Sequence, residues 1–209
     1  MTGEASESAG AVSATLRLAT PGDAGAIRDV YAPYVEETTI TFERTPPTEA
    51  EMRARIESKR EAYPWLVCER DGRVVAYAYA GPVRSRAAYR WATESSVYVA
   101  DGAKRAGVGR GLYTALFDLL AGQGYCSVYA AVTLPNPTSA AFHEALGFGR
   151  VGVWEDVGYK LEEWCDVGWF RRALCDPPAD PDPPLPVADA REASWWDEAL
   201  RAGEAVIES

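Results

Sequence analysis

Eight consecutive residues, Lys104-Arg105-Ala106-Gly107-Val108-Gly109-Arg110-Gly111, combine three cations with three glycines. Glycine lets main-chain N–H groups approach a ligand closely, and neighbouring cations favour an anion. The octet follows a run that alternates like a strand, with Ser96, Tyr98 and Ala100 set against Val97 and Val99, and Asp101-Gly102 breaks that run with turn chemistry. After it comes a helical pattern with Leu112, Leu116, Leu119 and Leu120 on one face. Strand, basic glycine loop and helix N-terminus together make a phosphate site, because the helix end carries partial positive charge. The same glycines can also serve a tight connection flanked by solvated cations. No Gly-Lys-Ser/Thr closes the loop, and its glycine spacing departs from a dinucleotide fingerprint.

Lys104 to Gly109 resembles the Gln/Arg-x-x-Gly-x-Gly/Ala pyrophosphate loop of the GNAT superfamily of N-acetyltransferases, which bind acetyl-coenzyme A. Lys104 takes the Gln/Arg position, keeping a charge but losing planar bidentate geometry. Acetyl transfer from a thioester to an amine needs a base for the ammonium, N–H groups to polarise the carbonyl and an acid for the thiolate. Glu94, in the strand before the loop, is the candidate base; pairing with Arg86 or Arg90 is its other reading. His143, the single histidine, has an ordinary pKa suited to proton transfer near neutrality, although a lone histidine is more often structural. Asn136 and Ser139 can cap a helix or contact the pantetheine arm. The main-chain groups of Val97 and Val99 can bond its amides if the strand edge opens there. Arg84, Arg86 and Tyr89, on a loop leading into the Glu94 strand, can hold an anionic substrate or simply solubilise that loop.

These residues need a scaffold, and 209 residues with 47% hydrophobic content suffice for one domain with appendages. No run of about 18 apolar residues exists to span a membrane. The acidic start has no secretory pattern, so the cytoplasm is the expected compartment. Cys68, Cys126, Cys165 and Cys175 form no C-x-x-C pair, so reduced thiols and no metal are expected. The net charge of −10 sits in the tails: from Asp176 onward nine acids face only Arg191 and Arg201. That balance argues against nucleic-acid binding.

Three regions follow: a disordered tail over 1–15, a domain over 16–175, and a Pro-rich acidic linker with a short C-terminal helix over 176–209. A strand at Leu16–Ala19 leads to a helix capped by Thr20, with Pro21 and Asp23 in its first turn. Thr38–Phe42 is a β-branched extended run, and a second helix follows Thr48. Strands over 64–69 and 73–80 form a hairpin at Asp71-Gly72. Beyond the phosphate loop and its helix come a strand over 125–132, a helix over 138–146, and strands over 149–155 and 159–170. Six prolines between Pro177 and Pro186 read as an extended linker. One helix over 187–207, bearing Trp195 and Trp196, is expected to dock on the body or on a second subunit.

Over about Leu16 to Leu174 the chain resembles the phosphinothricin N-acetyltransferase family. The resemblance rests on Tyr31-Ala32-Pro33-Tyr34-Val35-Glu36-Glu37-Thr38, Tyr63-Pro64-Trp65-Leu66-Val67, Tyr77-Ala78-Tyr79-Ala80-Gly81-Pro82, Ala88-Tyr89-Arg90-Trp91 and Thr93-Glu94-Ser95-Ser96-Val97-Tyr98-Val99. It continues through Leu134-Pro135-Asn136-Pro137, His143-Glu144-Ala145-Leu146-Gly147-Phe148 and Asp166-Val167-Gly168-Trp169. It implies an α/β (α+β) GNAT fold: a mixed, mostly antiparallel central sheet, splayed at the acetyl-CoA site and flanked by helices. It implies acetylation of the α-amine of phosphinothricin or a similar small amino acid, with methionine sulfone or sulfoximine as alternatives. Glu94 and His143 would be catalytic. Val97, Tyr98, Val99, Lys104, Arg105, Ala106, Gly107, Val108, Gly109, Arg110, Asn136 and Ser139 would bind acetyl-CoA. Phe42, Arg84, Arg86, Tyr89 and Val167 would line the acceptor pocket, and family members are typically homodimers. Cys165 stands where the family has histidine, and Thr133 where it often has glycine, which bears on the substrate rather than the reaction. A non-enzymatic acyl-CoA sensor on the same scaffold is the remaining alternative; Glu94 and His143 argue against it.

Overall fold

The computed structural model describes residues 14–207. Strand β1 (Ala14–Leu18) starts inside the tail expected over 1–15; the rest of that tail lies outside the described residues. Thr20 then opens a 3-10 turn, Pro21–Asp23, that runs into α1 (Ala24–Glu37). The Asp23 carboxylate accepts from the Thr20 N–H and hydroxyl at 2.7 and 2.9 Å, and from both Arg17 terminal nitrogens at 2.9 and 2.8 Å. The Arg17 bonds are the main reason its pKa falls to about 2. Helix α2 (Glu49–Lys59) opens on a reciprocal Thr48–Glu51 capping box.

The remaining elements are β2 (Trp65–Arg70), β3 (Arg73–Pro82), β4 (Ala92–Val99), α3 (Val108–Gln123), β5 (Ser127–Leu134), α4 (Pro137–Ala145), β6 (Gly149–Lys160), β7 (Glu163–Ala173), α5 (Val187–Ala190) and α6 (Ser194–Val206). One sheet runs in the order β1-β2-β3-β4-β5-β7-β6, antiparallel throughout except at β4–β5. Strand β2 is buried on both sides, so it reads as a continuous apolar run. Trp65 and Val67 join Tyr77, Ile27 and Met52 under α1 and α2. Leu66 and Cys68 join Ala78, Leu112 and Leu116 under α3.

Three expectations change. Thr38–Phe42 is a bent loop rather than an extended run, with the Thr38 hydroxyl turned back to the Tyr34 carbonyl at 2.7 Å. The aromatic strand expected over 159–170 contains a hairpin turn, because Leu161 and Glu162 both take positive φ (51° and 66°). That is the geometry of a two-residue hairpin, made here without the Gly, Asn or Asp that would have announced it. The single C-terminal helix is two, which lets Val187 and Ala190 bury separately from Trp196, Ala199 and Gly203.

The C-terminal segment does dock on the body. Leu185 and Gln123 exchange main-chain and side-chain bonds at 2.8 and 2.6 Å, and the Trp91 indole donates to the Asp182 carbonyl at 2.8 Å. Helix α6 lies against α3 so closely that a Cβ on Gly203 would stand 2.5 Å from the Gly111 carbonyl oxygen. Gly122 leaves the same kind of room for the Trp195 ring. The Glu204 carboxylate then accepts the outward N–H of Leu16 at 2.8 Å, covering the edge strand β1. Gly203→Ala is therefore expected to destabilise the fold by about 1–3 kcal/mol, the usual scale of overpacking, read from the midpoint of urea unfolding.

Candidate active site

The site begins where a sheet stops being a sheet. Strands β4 and β5 are paired only from Ala92–Ser127 to Glu94–Tyr129, and past Glu94 they separate. The Ala100 N–H bonds the Val75 carbonyl at 2.8 Å, so even-numbered β4 residues exchange bonds with β3. Ladder alternation then turns the main-chain groups of Val97 and Val99 towards the gap. The Tyr34 hydroxyl already occupies Val99, donating to its carbonyl at 2.6 Å and accepting from its N–H at 3.3 Å. Val97 is the residue whose polar backbone is left to face a ligand there.

The gap opens into a cleft of about 590 Å³. At the end expected to take phosphate, Arg105 and Gly107 take left-handed φ values of 66° and 72°, turning the chain so that α3 starts beneath it. Gly111 N–H closes the first helical bond to the Gly107 carbonyl at 2.9 Å. The N–H groups of Val108, Gly109 and Arg110 precede that bond and have no helical acceptor. Val97, Tyr98, Val99, Lys104, Arg105, Gly107, Val108, Gly109, Arg110, Asn136 and Ser139 all line the cleft. Ala106 does not; it packs on the core. Gly111 has a different task from the loop glycines, since its missing side chain makes room for α6 rather than for a ligand. Lys104 is drawn to Asp101 as an ion pair and lies 5.0 Å from the Tyr34 ring centroid.

Asn136 is a helix cap, its Oδ1 accepting the Ser139 N–H at 3.0 Å. His143 is buried and its Nδ1 lies 2.7 Å from the Ser139 carbonyl. A carbonyl can only accept, so Nδ1 carries the proton and Nε2 of the neutral ring carries a lone pair. Burial lowers the His143 pKa, which keeps the ring neutral. It is thus set to take a proton rather than to give one at the outset. Tyr113, Phe142, Phe148 and Phe170 pack around it, and the Tyr113 hydroxyl reaches Ser95 Oγ at 3.3 Å.

Glu94 stands at the fork and on the other face. It opposes Gly81, as Ser96 opposes Tyr79 and Tyr98 opposes Tyr77, so its carboxyl lies on the side of α1 and α2. Ser95, next in line, points to α3 and the cleft. One strand thus presents a carboxylate to one side and a donor pocket to the other, with the gap between them. Burial raises the Glu94 pKa, against the opposing pull of Arg84 and Lys59.

Around Glu94, Arg84 stacks on Trp154 at 5.8 Å. The Phe42 ring fills the space left by the missing side chain of Gly158. Val167 is buried on β7 opposite Thr133 and Trp154, and Cys165 opposes Gly158. Both sequence departures therefore adjoin the expected acceptor wall. Arg86 and Tyr89 bracket an exposed 3-10 turn and are turned to solvent. The cleft residues missed from sequence are Tyr34, Tyr113 and Phe142, each placed by helix packing that no local pattern announces.

Residues 16–169 match the family described as acetyltransferase (GNAT) domain. A phosphinothricin N-acetyltransferase of Streptomyces viridochromogenes is 42% identical over 82% of this chain and 93% of its own length. An L-methionine sulfoximine/L-methionine sulfone acetyltransferase of Pseudomonas paraeruginosa is 33% identical over 78% and 96%. Among solved structures, a GNAT superfamily phosphinothricin acetyltransferase of Sinorhizobium meliloti in complex with AcCoA superposes with a TM-score of 0.77. It is 35% identical, covering 81% of this chain and 94% of that one.

The raised Glu94 pKa also has a stability sign. A carboxyl whose folded pKa exceeds its unfolded value stabilises fully below the unfolded pKa and loses that contribution as pH rises through the folded pKa. Glu94→Gln, which stays neutral, is therefore expected to melt above the wild type at pH 7–8, with the difference narrowing as pH falls towards 4.5. A thermal melting series across that range measures it.

Proposed function

The chain belongs to the GNAT acetyltransferase family, and we propose that it moves the acetyl group of acetyl-CoA to the α-amine of phosphinothricin or a similar small amino acid. The observation that carries this reading is Glu94 at the last paired position before β4 and β5 part, with its carboxyl opposite the cleft. The cleft's donors fit the cosubstrate: helix N–H groups and Arg105 and Arg110 for the pyrophosphate, the Val97 backbone for a pantetheine amide. Glu94 removes the ammonium proton, directly or through a water, and its raised pKa brings it nearer the amine's own. His143 Nε2, holding a lone pair, accepts the proton the attacking nitrogen sheds and returns it to the departing sulfur. The acceptor rests against Phe42, Val167 and Arg84, with Arg86 and Tyr89 on the exposed turn at its rim.

Release of free CoA thiol, followed with phosphinothricin and methionine sulfone in parallel, tests the reading. Phosphinothricin is expected to have the higher kcat/KM; preference for the sulfone would move the substrate while keeping the mechanism. Glu94→Gln should lower kcat by about 10²–10⁴, the usual share of a positioned base, while acetyl-CoA still binds. Wild-type turnover in that variant would remove Glu94 from the base role.

We propose further that the enzyme is a cytoplasmic homodimer. Strand β6 is a sheet edge, and Val151, Val157, Tyr159, Leu161 and Trp164 are exposed along it and its hairpin, Trp164 at 65%. An apolar edge of this kind suits a second copy. The four cysteines are free, in keeping with a reducing compartment. Sedimentation is expected to give twice the monomer mass, and Trp164→Glu combined with Leu161→Glu to return it to monomer.

A further inference from the structure

We propose that Lys59 is an acceptor-site residue, its ammonium joining Arg84 in a two-cation seat beside Glu94 for the anionic group of the substrate. This rests on the amino-acid acetyltransferase reading above and adds to it a residue outside the acceptor wall expected from sequence.

Lys59 closes α2, where a lysine ordinarily turns outward to water. Here the side chain lies back over one face of the sheet instead. Its Cε lies 3.2 Å from where a Cβ on Gly81 would stand, so the stem runs over the one β3 position that has no side chain. Gly81 is the cross-strand partner of Glu94. The stem therefore passes beside the base, on the same face of the sheet, and the ammonium comes within 5.5 Å of the Tyr79 ring centroid.

The other cations of α2 are neutralised. Arg55 is bidentate to Glu43 at 2.7 and 2.9 Å, and Arg53 holds Glu49 at 2.9 Å. No carboxylate among the described residues lies within ion-pair distance of Lys59. Its charge is half-buried against an aromatic face, and burial lowers its pKa, helped by Arg55 and opposed by Glu94. A desolvated cation that no carboxylate touches directly is a cost to the fold, and such groups cluster where a ligand supplies further negative charge. Arg84 acts on the same Glu94 carboxyl from the Trp154 side. An α-amino acid is the matching ligand: its ammonium goes to Glu94, and its carboxylate or phosphinate goes to the cations flanking that base.

The experiment compares wild type, Lys59→Met and Lys59→Arg in two assays. One is acetylation of phosphinothricin and of an amino acid paired with its carboxamide. The other is phosphinothricin binding read from tryptophan fluorescence. Lys59→Met is expected to raise KM for both anionic acceptors about tenfold or more, to leave KM for acetyl-CoA unchanged and to erase the preference for acid over carboxamide; Lys59→Arg should restore most of it. Equal losses on acid and carboxamide, or an unchanged KM for the acid, would overturn the proposal. Wild-type binding without turnover would refute the acetyltransferase substrate while leaving the Lys59 comparison valid by binding. No binding by the wild type would overturn both.

Discussion

The parting of β4 from β5 after Glu94 governs the molecule. Paired strands satisfy their own N–H and C=O groups, so two strands that separate inside a sheet must find other partners or accept a ligand. Three residues of β4 remain bonded to β5, and beyond them the ladder is open. Tyr34 closes part of the exposed edge at Val99, and Val97 is left with its polar groups facing the gap. The pairing of β5 with β7 holds one lip of the opening, and that of β4 with β3 holds the other. Both lips are thus held by neighbouring strands, so the opening is part of the sheet's own pairing.

A second consequence follows from the alternation of side chains along β4. Glu94 and Ser95 are neighbours in sequence but look to opposite faces, the first towards α1 and α2, the second towards Tyr113 on α3. The acceptor and the acetyl donor can therefore arrive from opposite sides and meet only through the gap. The two faces also differ in environment. The Glu94 side holds cations and aromatic rings, and the His143 side holds an aromatic cage that keeps an imidazole neutral. Glu94 and His143, the groups proposed to handle protons, are each tuned mainly by burial, and in opposite directions of pKa, as a carboxyl and an imidazole must be.

Local chemistry was readable from sequence, and long-range placement was not. The turn at Gly107, the Asn136 cap and the Thr20–Asp23 start depend on residues within a few positions of each other, so their types announce them. Gly111 looks like Gly107 and Gly109 in the chain, yet helical spacing rotates it towards α6, where it serves packing. Leu161-Glu162 turns the chain without turn residues because the long pairing of β6 and β7 holds it there. Lys59 reads as an ordinary helix-end lysine; only the register that sets Gly81 opposite Glu94 reveals where its stem goes. His143 was singled out by its rarity, but its tautomer depended on a carbonyl one turn earlier in the same helix.

The glycine-to-glycine contact between α3 and α6 has a practical side. Ile207 packs directly on Gly111, one turn from the N–H groups that face the phosphate end of the cleft. Gly203 meets both the Gly111 carbonyl and the Leu16 side chain, so displacing α6 would uncover the start of α3 and the edge strand β1 together. In engineering this enzyme, helix α6 is part of the frame and is not a removable appendage.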